Sequence, residues 1–304
     1  PELTALAPQV TSALIDGKDT PDFSFRVADE LDAERIKARD LLFSGQVDQS
    51  VELVEAALER MDQLFASNPG VPRYFNSYAE RVIYNRMFAT EGERTVLIPD
   101  NLFYAHMELA DVLAQVKGVK AALPHLNAMV RYAPAYPLSH LKLAVQLARS
   151  EDWDPARAAC LNALHVALDR EDASFAYYRL AYAEWMCDHF DIAAAAYIMS
   201  EEIAPARIAM LEGELQELIG RAQSQCIPVP TNVSEAMHVL TQAGLPVWPN
   251  TQVASLVRKA ARVCVDEGMF VPARTLSVAA SRMDDEERDG ADVVQMQFLR
   301  SLNN

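Results

Sequence analysis

The chain has 304 residues, of which 51% are hydrophobic, and it holds 47 alanines but only 10 glycines. Alanine is the strongest helix former, so this balance favours helices and argues against an enzyme built on glycine-rich loops. The formal net charge of −16 disfavours binding to nucleic acid or to an anionic membrane surface.

The predicted elements divide the chain into five parts. Residues 1–28 form an irregular N-terminal segment with a short helix near 2–14, because prolines and a turn-forming sequence interrupt it. Residues 29–102 are predicted to form degenerate N-terminal helical repeats, in which the β-prone run Thr95–Ile98 is extended. Three repeats follow in residues 103–207. Residues 208–253 hold irregular helices with proline-rich connections around a short helix at 234–243, and residues 254–304 hold a last repeat and a capping helix.

Small residues recur in pairs along the chain, and their spacing indicates stacked helix pairs. Such residues allow two antiparallel helices to approach each other closely. The first two pairs are 34 residues apart, and a weaker copy begins upstream at Ala38. The pairs are Ala110 and Ala122, Ala144 and Ala156, Ala181 and Ala193, and Ala261 and Ala273.

Three segments carry further positions of this pattern and resemble the tetratricopeptide repeat (TPR) family. They differ from that family in lacking its first-helix tryptophans, and glycine holds the turn only at Gly45 and Gly268. The resemblance implies an all-α fold, an α-solenoid in which antiparallel helix pairs form a right-handed superhelix with a concave, non-catalytic groove. The matching residues are Trp153, Ala156 and Ala163 in 149–164, Ala181, Ala193, Tyr197 and Pro205 in 181–205, and Gly268, Phe270, Ala273 and Ala280 in 263–280.

The resemblance also implies which residues face the groove. Aromatic residues among them would form a platform and basic residues would pair with acidic groups of a ligand, but the rings could equally pack against the next helix pair and the basic face of the last repeat could simply be solvated. Only Arg179 matches the family's clamp for a terminal carboxylate, so no such clamp is expected. The groove residues are Tyr104, Asp111, Lys142, Arg149, Tyr178, Arg179, Tyr182, Trp185, Arg258 and Arg262.

No motif for catalysis or cofactor binding is present. Nucleotide-binding glycine motifs, a serine nucleophile elbow and a zinc-binding histidine pair are all missing from the sequence. The four cysteines are too far apart for a metal clamp, and no apolar run approaches the roughly 20 residues of a membrane span. We therefore expect no catalytic residues, no metal, no cofactor, no membrane contact and a reducing, cytoplasmic location.

The leading functional hypothesis is a scaffold that binds a peptide or protein segment in its groove. A second hypothesis is an architectural subunit of a constitutive complex or homo-oligomer, in which the C-terminal helix 291–302 docks onto another chain instead of capping the last repeat. A third is a regulatory module that senses a bound effector.

Overall fold

The computed structural model describes the backbone of residues 26–283 and the side chains of residues 29–283. Within this range the protein is all-helical apart from two short strands. The chain divides into two compact units, residues 1–61 and 62–304. The predicted helices at 2–14 and 291–302 lie outside the described residues.

The helices vary in length from 10 to 20 residues. They are α1 (Arg26–Phe43), α2 (Val47–Ala66), α3 (Tyr78–Met87), α4 (Asp100–Val116), α5 (Val119–Tyr132), α6 (Pro137–Arg149), α7 (Trp153–Val166), α8 (Arg170–Met186), α9 (Phe190–Ile203), α10 (Leu211–Ser224), α11 (Val233–Gln242), α12 (Thr251–Asp266) and α13 (Phe270–Met283). The strands are β1 (Val71–Arg73) and β2 (Thr95–Leu97).

The first unit contains the hairpin formed by α1 and most of α2. The buried Ser50 hydroxyl donates to the Ala38 carbonyl at 2.7 Å, and the Arg60 guanidinium lies 2.5 Å from the Glu34 carboxylate. Gly45 makes the turn between the helices with a φ of 78°. The weak upstream copy of the repeat is therefore a helix pair.

In the second unit, α4–α5, α6–α7, α8–α9 and α12–α13 are helix pairs joined by short turns. The first three pairs also contact one another in sequence order, through α5–α6 and α7–α8. The recurring alanines are between 0% and 6% exposed, which confirms that small residues occupy the helix contacts. They are Ala110, Ala122, Ala144, Ala156, Ala181, Ala193, Ala261 and Ala273.

The turns of three pairs share one backbone conformation. Glu151, Asp188 and Gly268 each have a positive φ, of 59°, 63° and 71°, and each lies seven residues after the first alanine of its repeat. At each turn, the next N–H donates to a carbonyl five residues earlier, as from His189 to Glu184 at 3.0 Å. The same turn conformation therefore recurs at equivalent positions of the repeats that were aligned from the sequence.

Residues 67–99 do not form a helix pair but a strand, the single helix α3 and a second strand. The two strands pair in parallel, with Val71 opposite Thr95, so the extended segment predicted at 95–98 is present. A Cβ on Gly70 would lie 2.6 Å from Val96 Cγ2 and 2.7 Å from the Arg94 carbonyl oxygen. Only glycine allows the chain to approach this closely at the start of the strand.

Helix α3 packs against α12 and α13, which are distant in the sequence. Ala79 and Ile83 supply its fully buried face. The periodicity of a sequence segment gives no information on such a contact, because the contact requires a partner from the far end of the chain. This packing brings the N-terminal end of α3 close to the last helix pair.

The proline-rich part of the chain is ordered by contacts with the repeats. Helix α11 corresponds to the short helix predicted at 234–243, and it packs against α9. In the connection after it, which contains a cis Trp248–Pro249 bond, the Pro246 carbonyl accepts a 2.7 Å hydrogen bond from the Tyr177 hydroxyl. That hydroxyl also accepts from the Trp248 N–H at 3.1 Å, which anchors the connection to α8.

The two glycines Gly268 and Gly220 offer a test of the turn conformation. Both have open space around an added Cβ, but Gly268 has a positive φ and Gly220 lies inside α10. We expect Gly268→Ala to lower the free energy of unfolding by about 1 kcal/mol, because the left-handed conformation disfavours a side chain. Gly220→Ala is expected to raise it by up to about 1 kcal/mol. Urea denaturation measures both, and effects of the same sign would contradict the assignment.

Candidate functional site

The predicted groove residues on α4 and α6 contact each other. Lys142 Nζ lies 2.7 Å from Asp111 Oδ2, and both side chains are partly exposed. Arg149, at the C-terminal end of α6, is exposed and lies 3.4 Å from the Gln146 side-chain oxygen. The first helices of two neighbouring pairs thus lie side by side, and their charged residues pair within the protein.

Helix α10 covers part of the predicted aromatic platform on α8. The Tyr178 hydroxyl donates to Glu214 Oε1 at 3.0 Å, and Tyr197 of α9 donates to the other oxygen at 2.7 Å. Trp185 is only 6% exposed, and the Arg221 guanidinium lies 5.1 Å from its ring centroid. The Trp185 ring is therefore largely covered within the protein.

The remaining predicted residues have different surroundings. Tyr182 is half-buried, and its ring lies edge-on to Trp153 and Trp185. The Arg179 guanidinium lies 6.0 Å from the Tyr178 ring, and its Nε is buried without a hydrogen-bond partner in residues 29–283. Arg258 and Arg262 are exposed on α12. These nine predicted residues therefore differ in their exposure and in their contacts.

A cavity of about 940 Å³ lies in the second unit, between α13 and the N-terminal ends of α3, α6 and α8. Its size is in the upper part of the range found for small-molecule pockets. One wall carries apolar residues of α13, and the opposite walls carry carboxylates from the first turns of α3 and α8. The apolar residues include Phe270, Val271 and Val278, and the acidic residues are Glu80, Asp169 and Asp172. We call this cavity the N-terminal cleft.

Glu80 is 3% exposed in the wall of the cleft. Its Oε2 accepts a hydrogen bond from the Asn76 N–H at 2.8 Å, and its Oε1 accepts one from the Ser77 hydroxyl at 3.3 Å. Burial raises the pKa of this carboxyl to about 7, and the charge of Asp172 adds to the rise despite the lowering effect of these hydrogen bonds. Glu80 thus supports the Ser77 cap of α3 and also places an acid at the surface of the cleft.

Asp172 lies in the first turn of α8, whose N-terminus is capped by the Asp169 carboxylate. Burial, together with the charges of Asp169 and Glu171, raises the pKa of Asp172 to about 7. Within residues 29–283 its carboxylate accepts no hydrogen bond. Two strongly shifted acids in one cleft are a pattern found at functional sites more often than elsewhere.

One tyrosine of the cleft wall belongs to a group of neighbouring aromatic residues. Tyr136 lines it, and burial followed by interaction with Tyr104 raises the pKa of the Tyr136 phenol. Tyr74 stacks on Phe103 with ring centroids 4.6 Å apart, and Tyr104 lies edge-on to both rings. The predicted groove residue Tyr104 is therefore part of an aromatic cluster behind the cleft.

A second polar cluster joins residue 62 to α4 and α5. His106 is buried, with Nε2 3.2 Å from Asp62 Oδ1 and Nδ1 3.1 Å from His125 Nδ1. Tyr132 also donates to Asp62, and Arg131 lies 3.8 Å away. Two neutral rings satisfy this geometry if His125 donates to His106 and His106 donates to Asp62.

The histidine cluster is a hydrogen-bonded, partly buried network. Burial and the neighbouring His106 lower the pKa of His125 to about 4. Burial opposes ionisation of Asp62, but its hydrogen bonds with His106 and Tyr132 outweigh that effect and lower its pKa. In the described part of the chain, no group of three or more His, Cys, Asp or Glu side chains is placed to hold a metal ion.

Sequence reasoning missed the N-terminal cleft. The only local signals were the acids in the first turns of α3 and α8, such as Glu80 three residues after Ser77, which is also the usual pattern of a helix cap. The packing of α3 on the last helix pair makes these acids part of a cavity, and that packing has no local signature.

No model of a known protein family matches the chain, and no curated protein matches it. In residues 26–283, none of the helices combines the length and the apolar character that crossing a membrane requires.

The pKa of Asp172 predicts a stability that depends on pH. Because folding raises the pKa from 3.8 to about 7, the associated stability is fully present below pH 3.8 and is lost as the pH rises through 7. At pH ~8, Asp172→Asn is expected to increase the free energy of unfolding by about 2 kcal/mol. This is less than the free energy that corresponds to the whole pKa shift, because the cleft is partly hydrated. At pH ~5 the gain should shrink.

Urea denaturation at both pH values measures this effect. Asp191→Asn, on the exposed first turn of α9, is the control and should not show the same pH dependence. An Asp172→Asn variant that is less stable than the parent at both pH values would contradict the assignment.

The lowered pKa of His125 predicts a contribution to stability that depends on pH in the opposite direction. Folding lowers its pKa from 6.5 to about 4, so its contribution is present above pH 6.5 and is lost as the pH falls toward 4. We expect His125→Gln to lower the free energy of unfolding by about 1 kcal/mol at neutral pH, because the bond to His106 is lost. The difference should narrow at pH ~5. His165→Gln on the exposed face of α7 is the control, and a difference that widens in acid would contradict the network.

Proposed function

We propose that the protein is a non-catalytic, TPR-like helical-repeat scaffold that binds a peptide or protein segment in the N-terminal cleft. The observation that carries this proposal is the cleft itself, whose α13 wall presents apolar side chains to solvent. Phe270, Val271 and Val278 are 40%, 72% and 38% exposed. Contiguous exposed apolar residues beside a concave surface are typical of binding sites.

The repeat architecture supports a scaffold. Consecutive helix pairs with buried alanines and a shared turn conformation are what a TPR-like solenoid requires, and we propose that these pairs belong to a right-handed superhelix of that kind. A fold of this type places helix ends and helix faces in fixed positions, so it can hold an extended segment without a conformational change of its own.

The cleft is favoured over the groove along α4, α6 and α8 for a physical reason. Two of the aromatic residues predicted there, Tyr178 and Trp185, contact α10, and Lys142 is already paired with Asp111. In contrast, the cleft combines apolar wall residues with two acids that lack a cationic partner among the described residues. Arg149 is an exposed member of the predicted groove and serves below to separate the two surfaces.

A constitutive interface is the second candidate function. Val263 and Met269, which are 57% and 46% exposed, extend the apolar surface of the α12–α13 pair beyond the cleft. A partner subunit, or a second copy of the chain, would cover such a surface as a whole. Binding of a small effector is a further function that the same cavity could serve. The cytoplasm remains the expected location of the protein.

Blocking the cleft tests the proposed function. Short peptides are selected from a random phage-displayed library on the parent protein, and their affinities are measured by fluorescence anisotropy. Thr275→Trp, which places a large side chain at the exposed wall of the cleft, is expected to weaken binding at least about tenfold, or about 1.4 kcal/mol. Arg149→Glu on α6 should leave the affinity unchanged.

If Arg149→Glu weakened binding and Thr275→Trp left it unchanged, the peptide would be assigned to the groove and not to the cleft. If the library yields no binding peptide, or if neither variant changes the affinity, the proposal of a segment-binding cleft fails. Light scattering of the parent protein separates these outcomes from a homo-oligomer, which would already cover the α12–α13 surface.

A further inference from the structure

We infer that the segment bound in the N-terminal cleft presents one basic side chain, lysine or arginine, to Asp172 and Glu80, with apolar residues on either side of it. This inference rests on the proposed function and names the chemistry of the segment. It is argued from the charge, the burial and the lining of the cleft.

The two carboxyls have no cationic partner in the described part of the protein. The Glu80 carboxylate accepts only from a backbone N–H and a hydroxyl, both neutral donors. The Asp172 carboxylate accepts no hydrogen bond from residues 29–283, although it lines the cleft and the residue is half-buried. The charges that act most strongly on either group are those of other acids.

A carboxylate that is partly removed from water without a cation loses solvation that neutral donors replace only in part. An ammonium or guanidinium group entering the cleft would restore it with a charge-assisted hydrogen bond. The interaction is stronger here than at an open surface, because the partly dry walls screen charges less than bulk water does. The cleft thus complements a cation on its α3 and α8 walls.

The other walls define what surrounds that cation. Phe270, Val271 and Val278 offer apolar surface for neighbouring side chains of the segment. Aromatic rings of Tyr136 and Phe270 also line the cavity, and such rings attract cations through their faces. Lysine and arginine suit such a cleft, because their aliphatic stems can pack on the apolar wall while their charged ends reach the carboxyl groups.

Two arginines of α13, Arg274 and Arg282, line the cleft as well. Both are exposed, so water and salt screen their charges more effectively than those of the less exposed Glu80 and Asp172. They disfavour a segment with several basic residues, since a second cation would meet them. The surface therefore matches a single basic residue between apolar ones, and not a polybasic stretch.

Fluorescein-labelled peptides with a Leu-Lys-Leu centre test the inference by anisotropy. The same peptide is made with norleucine, arginine or glutamate in place of lysine. We expect the lysine and arginine peptides to bind at least about tenfold more tightly than the norleucine peptide, and the glutamate peptide to bind most weakly. Added salt should weaken the lysine peptide but not the norleucine peptide.

Variants of the protein locate the effect. Asp172→Asn should weaken the lysine peptide about tenfold and leave the norleucine peptide unchanged. Glu80→Gln, which keeps an acceptor for the α3 cap, is the second variant and should act in the same direction. Asp191→Asn removes the same charge at a helix N-terminus outside the cleft and should change neither affinity.

The outcomes distinguish this inference from the proposed function. Equal binding of the lysine and norleucine peptides, with both weakened by Thr275→Trp, would leave a segment-binding cleft and overturn its preference for a basic residue. Absence of binding by every designed and displayed peptide would overturn both. If spermidine binds as tightly as the lysine peptide and displaces it, the occupant is a small polyamine and the inference is wrong.

Discussion

The close approach of helices within each pair is the constraint on which the rest of the structure depends. Two helices can touch this closely only where both carry a small residue, and the buried alanines meet that condition in every aligned copy. The distance and direction of the second helix then follow from the turn, where Glu151, Asp188 and Gly268 share a left-handed conformation. Because α6 and α8 are positioned by these contacts, their N-terminal ends can contribute to one cleft.

The helix pairs could be predicted because their causes are local. Alanine spacing, turn residues and the β-prone run at 95–98 act within one repeat, and the structure contains the corresponding pairs, turns and strand. The single helix α3 could not be predicted in its actual role. A 10-residue amphipathic helix resembles half of a degenerate repeat, and its packing on α12 and α13 depends on residues more than half the chain away.

The site was less accessible to sequence reasoning than the fold. Tyr178 and Trp185 have the spacing of a helix stripe, and this spacing is the same whether a ligand or α10 covers the rings. Glu80 and Asp172 look like ordinary acids in the first turn of a helix, where carboxylates are common. Their burial results from three helix ends meeting α13, so their pKa values of about 7 become visible only in the assembled structure.

The contact of α3 with the last helix pair also affects how the second unit comes apart. A linear array, in which each repeat touches only its neighbours, can lose its terminal repeat while the others stay folded. Here, detaching α12 and α13 would expose the buried face of α3, with Ala79 and Ile83, at the opposite end of the sequence. The two ends of the unit are thus energetically coupled, and a contact of this sequence separation slows folding while it makes unfolding more cooperative.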